Sequence, residues 1–353
     1  MTTTQHRRGA VRRMLVAALV AVGLVAAPAA ASAETSTTTV AGPGVDLRKA
    51  FERLRPGDTL ELQPGTYSIG YIRPLVARGT KAQPITVKAA DPARPPLLRG
   101  GILLKSPDFW RLERLRVEAT APKAPALHIF GGNGWAVLSG EYFGARNTDA
   151  YANVAIEGGG GYPRGFRFAG NCVHDAGRSD RVKTDHNMYV SITGDVSSSG
   201  VIEHNTIYGH PNGAGIKLGG GGQPGIRGPW GVVVENNTIV WGGRQILMSQ
   251  DIRNNVVTGN LLGASREPFS ATDRRTTGVY ALGVEGTGNL LEHNYVFGAS
   301  MPFRDPNGLV RVGADVGLRP DPKLAGLGTC SVQPTYWKAK YYGRTSTETY
   351  QQW

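Results

Sequence analysis

Apolar positions along the chain come in short clusters rich in Val, Ile and Leu, separated by Gly and Asn turns, and helical periodicity is nearly absent. This is the pattern of many short strands. One segment departs from it: Leu47, Ala50, Phe51 and Leu54 fall at i, i+3, i+4 and i+7. That spacing predicts an amphipathic helix from Asp46 to about Arg55, with Asp46 as its N-cap. Strand signals resume at once with Thr59-Leu60-Glu61-Leu62 and Ile85-Thr86-Val87-Lys88-Ala89.

A self-similar unit then recurs. It reads Val201-Ile202-Glu203-His204-Asn205-Thr206-Ile207, Val233-Val234-Glu235-Asn236-Asn237-Thr238-Ile239, Ile252-Arg253-Asn254-Asn255-Val256-Val257 and Leu290-Leu291-Glu292-His293-Asn294-Tyr295-Val296. Phe168-Ala169-Gly170-Asn171-Cys172-Val173 is a weaker copy. Repeats this short are coils of a solenoid, so residues 34–353 are expected to form one elongated domain rather than two globular ones. Asn171, Asn205, Asn237, Asn255 and Asn294 are expected to stack in one column at a turn, each side-chain amide bonding its neighbours. Their separations of 34, 32, 18 and 39 are uneven, and the excess over a coil of roughly 20 to 25 residues implies projecting loops. The helix is expected to plug the open end, where the first coil exposes strand edges and core. The aromatic tail, about 318–353 with Tyr336, Trp337, Tyr341, Tyr342 and Trp353, is expected to cap the other.

The opening from Val45 to about Gly101, with its Pro56-Gly57-Asp58-Thr59 and Pro64-Gly65-Thr66-Tyr67 turns and Pro84-Ile85-Thr86-Val87-Lys88-Ala89 strand, resembles secreted β-helix polysaccharide lyases. The resemblance is especially to the chondroitinase B and alginate lyase group. The expected fold is therefore an all-β, single-stranded right-handed parallel β-helix with an N-terminal capping helix. The resemblance further implies a lysine and an arginine on one sheet as catalytic groups, commonly with calcium.

Residues 1–33 read as an export signal. Arg7, Arg8, Arg12 and Arg13 precede the apolar run Met14 to Ala27, and Ala31-Ser32-Ala33 offers a small-residue cleavage site. The run is shorter than the ~20 apolar residues that cross a bilayer. A secreted, monomeric protein without stable membrane insertion is expected. Losing those four arginines takes the formal charge from +12 to +8, which favours a polyanionic partner. No basic helix, zinc spacing or stacked-aromatic motif of nucleic-acid readers is present, so an acidic polysaccharide is the expected partner. Cys172 and Cys330 are the two cysteines. One bridge is open to them, although Cys172 also reads as a small apolar strand residue.

Candidate chemistry lies on the strand after each asparagine unit: His186-Asn187-Met188-Tyr189-Val190, Ala214-Gly215-Ile216-Lys217-Leu218, Arg244-Gln245-Ile246-Leu247-Met248 and Thr277-Gly278-Val279-Tyr280-Ala281. Period two sends Met188, Val190, Ile216, Leu218, Ile246, Met248 and Val279 inward and turns Tyr189, Lys217, Leu247 and Tyr280 outward. His186 and Arg244 are expected in a neighbouring column, on either side of Ala214. Such a ridge suits β-elimination on a uronic acid polymer. Arg244 is the expected carboxylate partner, Lys217 the base if burial and Arg244 lower its pKa, and Tyr189 or His186 the acid. Tyr280, Gln245 and Asp185 are expected to bind substrate. Asp175 and Asp180, with Asp185 and Asp195 nearby in sequence, are the candidate calcium ligands. Two other readings stay open: a glycosidase, which needs two carboxylates flanking the bond, and a non-catalytic glycan binder using the same ridge.

Overall fold

The computed structural model describes residues 35–158, 163–177, 185–192, 197–220, 227–263 and 276–334. The export-signal segment, Asp180, Asp195 and the tail aromatics from Tyr336 onward lie outside the described residues. Among these residues no helix is long and apolar enough to cross a membrane.

Successive turns of the chain pair in parallel, giving a β-helix with three faces. Face 1 is an eleven-stranded sheet running from Thr38–Ala41 to Val310–Val312, with Arg167–Ala169, Val201–Glu203, Val233–Glu235 and Val256–Thr258 at its centre. Face 2 carries Glu141–Phe143, Cys172–His174, Leu261–Gly263 and Asn294–Phe297, and face 3 carries Ala152–Glu157, His186–Ser191, Thr277–Val284 and Met301–Arg304. Thr206–Leu218 and Thr238–Arg253 are long enough to turn the corner from face 2 to face 3, with a register shift between His210 and Ala214. Parallel strands joined by crossovers in one sheet take the right-handed path.

Period two sorts the side chains as expected. Met188, Val190, Ile216, Leu218, Ile246, Met248 and Val279 are all buried in one continuous core, where large rings such as Trp135 and Phe166 stack at 4.7 Å between centroids. The helix, Leu47–Arg53, is capped by the Asp46 carboxylate, which accepts from the Lys49 N–H at 3.1 Å. It buries Leu47 and Phe51 and sets Phe51 5.8 Å from the Trp110 ring, closing that end of the core.

The asparagine column is the strongest polar feature. Asn205 Oδ1 accepts from the Asn171 N–H at 2.8 Å, Asn237 Oδ1 from the Asn205 N–H at 3.0 Å, Asn260 Oδ1 from the Asn237 N–H at 2.9 Å and Asn294 Oδ1 from the Asn260 N–H at 3.0 Å. Each amide nitrogen reaches a carbonyl of the preceding coil, as Asn205 does to Phe168 at 3.0 Å. The fourth member is Asn260, not the expected Asn255. Val233 pairs with Val256 in register, so the true repeat is Val256 to Leu262, and the Asn254-Asn255 doublet imitates it one turn too early. Asn255 belongs to a second column, accepting from the Val232 N–H at 2.9 Å while its own N–H donates to Asn289 at 3.2 Å.

Cys172 faces outward, with Val173 inward, and is bonded to Cys330. The reading of Cys172 as a simple core residue is thereby corrected. The bond ties residues 319–334, including a short antiparallel pair Leu324–Ala325 with Gln333–Pro334, to the flank of face 2. There Leu324 and Leu327 cover the outward residues Tyr208, Val240, Leu261, Tyr295 and Phe297.

Asn205→Ala removes the acceptor of the Asn171 N–H and orphans the Phe168 carbonyl inside the turn. Each buried orphan costs about 1–3 kcal/mol, so the urea midpoint is expected to fall by an amount equivalent to about 3 kcal/mol. An unchanged midpoint contradicts a structural role for the column.

Candidate functional site

Among the described residues, the outward column of face 3 gathers a dense set of functional groups. Parallel register aligns His128, Ala155, Tyr189, Lys217, Leu247, Tyr280 and Arg304 on successive strands, spaced by about 4.8 Å along the solenoid. The structure thus brings together the expected Tyr189, Lys217 and Tyr280. Lys217 Nζ lies 4.9 Å from the centroid of the Tyr189 ring. The guanidinium carbons of Arg244 and Arg304 lie 4.5 and 4.9 Å from the centre of the Tyr280 ring. Cation–π contacts of this kind hold long basic side chains in place over the ring faces.

His186, Ala214 and Arg244 share the neighbouring column, as expected. The Ala214 N–H donates to His186 Nδ1 at 3.0 Å, so a neutral His186 carries its proton on Nε2. Glycine makes the close packing possible here: a Cβ at Gly213 would overlap the Asp185 carbonyl, and one at Gly242 the His210 ring. Asp185, His186 and Arg244 are buried while Tyr189 and Lys217 are half-buried. The floor of the ridge is therefore polar and desolvated, and its upper part is reachable.

Burial lowers the Lys217 ammonium below its usual range; Arg244, expected to share in this, is not among the causes. The Tyr189 phenol is raised, first by burial, with a hydrogen bond to Ser191 working the other way. His186 is pushed down to about 3, first by burial and then by the Lys217 charge. Gln245, expected to touch substrate, is fully buried. Its amide oxygen accepts from His210 Nε2 at 3.1 Å and its nitrogen donates to the Gly242 carbonyl at 2.7 Å. It extends an internal polar column through His210, Asn187 and Asn153, because the corner between faces 2 and 3 turns that position inward.

Further groups extend the ridge toward the N-terminal end. Arg73 sits over the Tyr71 ring at 4.7 Å, the Tyr71 hydroxyl lies 3.3 Å from His128 Nδ1, and His128 Nε2 pairs with Glu157 at 2.7 Å. The Tyr151 hydroxyl donates to the same carboxylate at 3.2 Å, and its ring meets Tyr189 edge-on at 5.4 Å. His128, alone and polar between the inward Leu127 and Ile129, carried the same alternation that marked Tyr189.

Asp175 lies elsewhere, on the turn after face 2. His174 is held between two carboxylates, Nδ1 at 2.9 Å from Asp175 and Nε2 at 3.0 Å from Glu141, and is stacked with Phe143 and Tyr208. The second Glu141 oxygen pairs with Arg116. Asp175 also faces Arg146 at 3.8 Å. Among the described residues no group of three Asp, Glu, His or Cys side chains gathers about Asp175 or Asp185, and Asp180, the other expected calcium ligand, lies outside the described residues.

No protein-family model and no curated protein matches the chain. Among solved structures, it is similar to a mannuronic acid specific polysaccharide family 6 lyase from human gut microbiota, with 16% identity and a TM-score of 0.49 over 76% of this chain and 67% of that one. It is also similar to the Dettilon tailspike protein, with 13% identity and a TM-score of 0.47 over 73% and 60%. For the PL6 alginate lyase AlyGC the values are 12% and 0.38 over 88% and 57%. The chain thus spans between about half and two thirds of the length of these proteins. At such identities the likeness concerns the fold alone.

His186 and His210, held near 3 and 4 in the folded chain, titrate near 6.5 when unfolded. Below that value the unfolded chain binds protons that the folded one refuses. The contribution to stability is complete above pH 6.5 and is lost as pH falls toward 4, by up to about 1.4 kcal/mol per pH unit for each group. Urea midpoints are expected to drop between pH 7 and pH 5, and the drop to shrink in His210→Gln. An equal drop in the variant contradicts the assignment.

Proposed function

We propose that the chain is a secreted lyase that cleaves a uronic-acid polysaccharide by β-elimination on face 3. One observation carries the reading: Lys217, with its pKa lowered by burial, stands in register beside the protonated phenol of Tyr189 and on the same face as Arg244. Elimination needs those three capacities at once, a base, an acid and a charge partner for the carboxylate.

In this reaction Arg244 faces the substrate carboxylate and stabilises the charge that develops on it when the adjacent carbon loses its proton. Lys217 Nζ, neutral more often than an exposed lysine, takes that proton. The electron pair forms the ring double bond and expels the glycosidic oxygen, which is protonated by Tyr189, whose raised pKa keeps its hydroxyl proton in place. His186, neutral and with Nδ1 already accepting from Ala214, offers Nε2–H to a sugar hydroxyl and is not the acid. Tyr280 and Arg304 extend the surface for the next uronate, and buried Asp185 fixes the floor.

The disulfide and the leader-like N-terminal segment support export, since such bonds persist in oxidising compartments. The formal excess of basic over acidic residues supports a polyanionic substrate. The glycosidase reading is weaker because, of the two described carboxylates at the ridge, Glu157 is engaged by His128 and Tyr151 and Asp185 is buried in its floor.

Lys217→Ala is expected to lower turnover by about two to four orders of magnitude with the thermal midpoint within a few degrees of the parent, and Arg244→Ala to lower turnover as far while also losing stability, because Arg244 is buried. Tyr189→Phe is expected to lower kcat more than KM. Parental turnover in Lys217→Ala removes Lys217 from the chemistry.

A further inference from the structure

Away from face 3, the outward side of face 2 gathers soft and nitrogen donors beside the disulfide. The two sulfurs of Cys172 and Cys330 and a ring nitrogen of His174 lie within 4.8 Å of one another. Glu141, paired in register with Cys172, adds an oxygen that is 3.9 Å from Cys330 Sγ and 3.0 Å from His174 Nε2. Two thiolates and an imidazole are three zinc donors, and the Glu141 carboxylate beside Cys330 and His174 is placed to approach as the fourth. The surroundings already resemble those of a bound ion. Asp175 holds His174 Nδ1 at 2.9 Å, the carboxylate–imidazole arrangement that orients metal-bound histidines. Arg116 occupies the other oxygen of Glu141 and so aims the first. Phe143 and Tyr208 fix the plane of the ring, with centroids 5.0 and 4.8 Å from it.

We propose that the dithiol form of this protein binds one zinc ion through Cys172, Cys330, His174 Nε2 and Glu141, so that metal and disulfide are alternative staples for the same tail segment. The dithiol is the form the chain has before the bond is made, and a thiol or phosphine reductant restores it. With a dithiol reductant the balance is simple: two electrons pass to the S–S bond, which opens to two thiols, while the reductant closes to its own disulfide. Zinc then displaces the two thiol protons and the proton on Nε2, leaving Nδ1–H on Asp175. No electron transfer involves the metal. Either staple closes the same 158-residue separation and keeps Leu324 and Leu327 over the apolar strip of face 2. The site is independent of the chemistry proposed for face 3.

The test uses the full chain, reduced with a phosphine under argon, titrated with zinc against a chromophoric chelator and separately with cobalt(II). One equivalent is expected to bind the reduced chain at least about a hundredfold more tightly than the oxidised chain. The cobalt complex is expected to show the intense visible bands of a tetrahedral site with thiolate charge transfer. His174→Ala is expected to abolish the tight phase, and Asp175→Asn, which leaves all four ligands in place, to weaken it by about ten- to a hundredfold. Glu141→Gln provides a milder ligand variant if His174→Ala fails to fold, and is expected to weaken binding at least about tenfold. Equal affinity in oxidised and reduced chains, no tight binding to the reduced chain, or affinity unchanged in His174→Ala and Glu141→Gln overturns the proposal.

Discussion

Everything in this molecule depends on keeping one coil in register with the next. A parallel ladder of three-residue strands holds little register information of its own, since a slip by two residues restores the inward and outward pattern. The buried asparagine column supplies what the strands lack. Asn205 and its counterparts accept from a backbone N–H of the preceding coil and donate both to a carbonyl of that coil and to the amide oxygen of the next. A slip would leave several buried polar groups without partners at about 1–3 kcal/mol each. Asn171, Asn205, Asn237, Asn260 and Asn294 therefore act as the pins of the solenoid. The inner column from Asn153 through Asn187 and His210 to Gln245 does the same at the next corner.

Fixed register is also what makes a site on face 3. Tyr189, Lys217 and Tyr280 are separated by dozens of residues, yet the ladder sets them on adjacent or near-adjacent strands at a spacing comparable to a sugar ring. Because the backbone beneath them is already bonded on both sides, their positions cost little further ordering when a polymer binds. The flank of face 2 shows the complementary use of an outward surface, where apolar residues are covered by the tail instead of being offered to solvent.

Much of this was legible in the chain. Alternation in four strands identified the inward set, and the same alternation correctly turned Tyr189, Lys217 and Tyr280 outward. Three features were not legible, each for a physical reason. The Asn254-Asn255 doublet matches the repeat locally, and only pairing of Val233 with Val256 reveals that Asn260 is the pin. Gln245 follows the strand pattern on paper, but the corner between faces rotates it inward to meet His210. The Cys172–Cys330 bond depends on the tail doubling back along face 2, a long-range arrangement that no local pattern encodes. His128 and Glu157 were readable by the same alternation, but they precede the first clear asparagine repeat.

The central claim is that the face 3 ridge performs elimination, and elimination leaves a conjugated double bond that hydrolysis and simple binding do not. The most direct measurement is ultraviolet absorbance during incubation of the purified chain with a panel of acidic polysaccharides, with and without added calcium. The account predicts a rise with at least one polyuronate. A flat trace accompanied by new reducing ends would make the protein a hydrolase, and a flat trace with retained binding would make it a glycan-binding solenoid; either result contradicts the account.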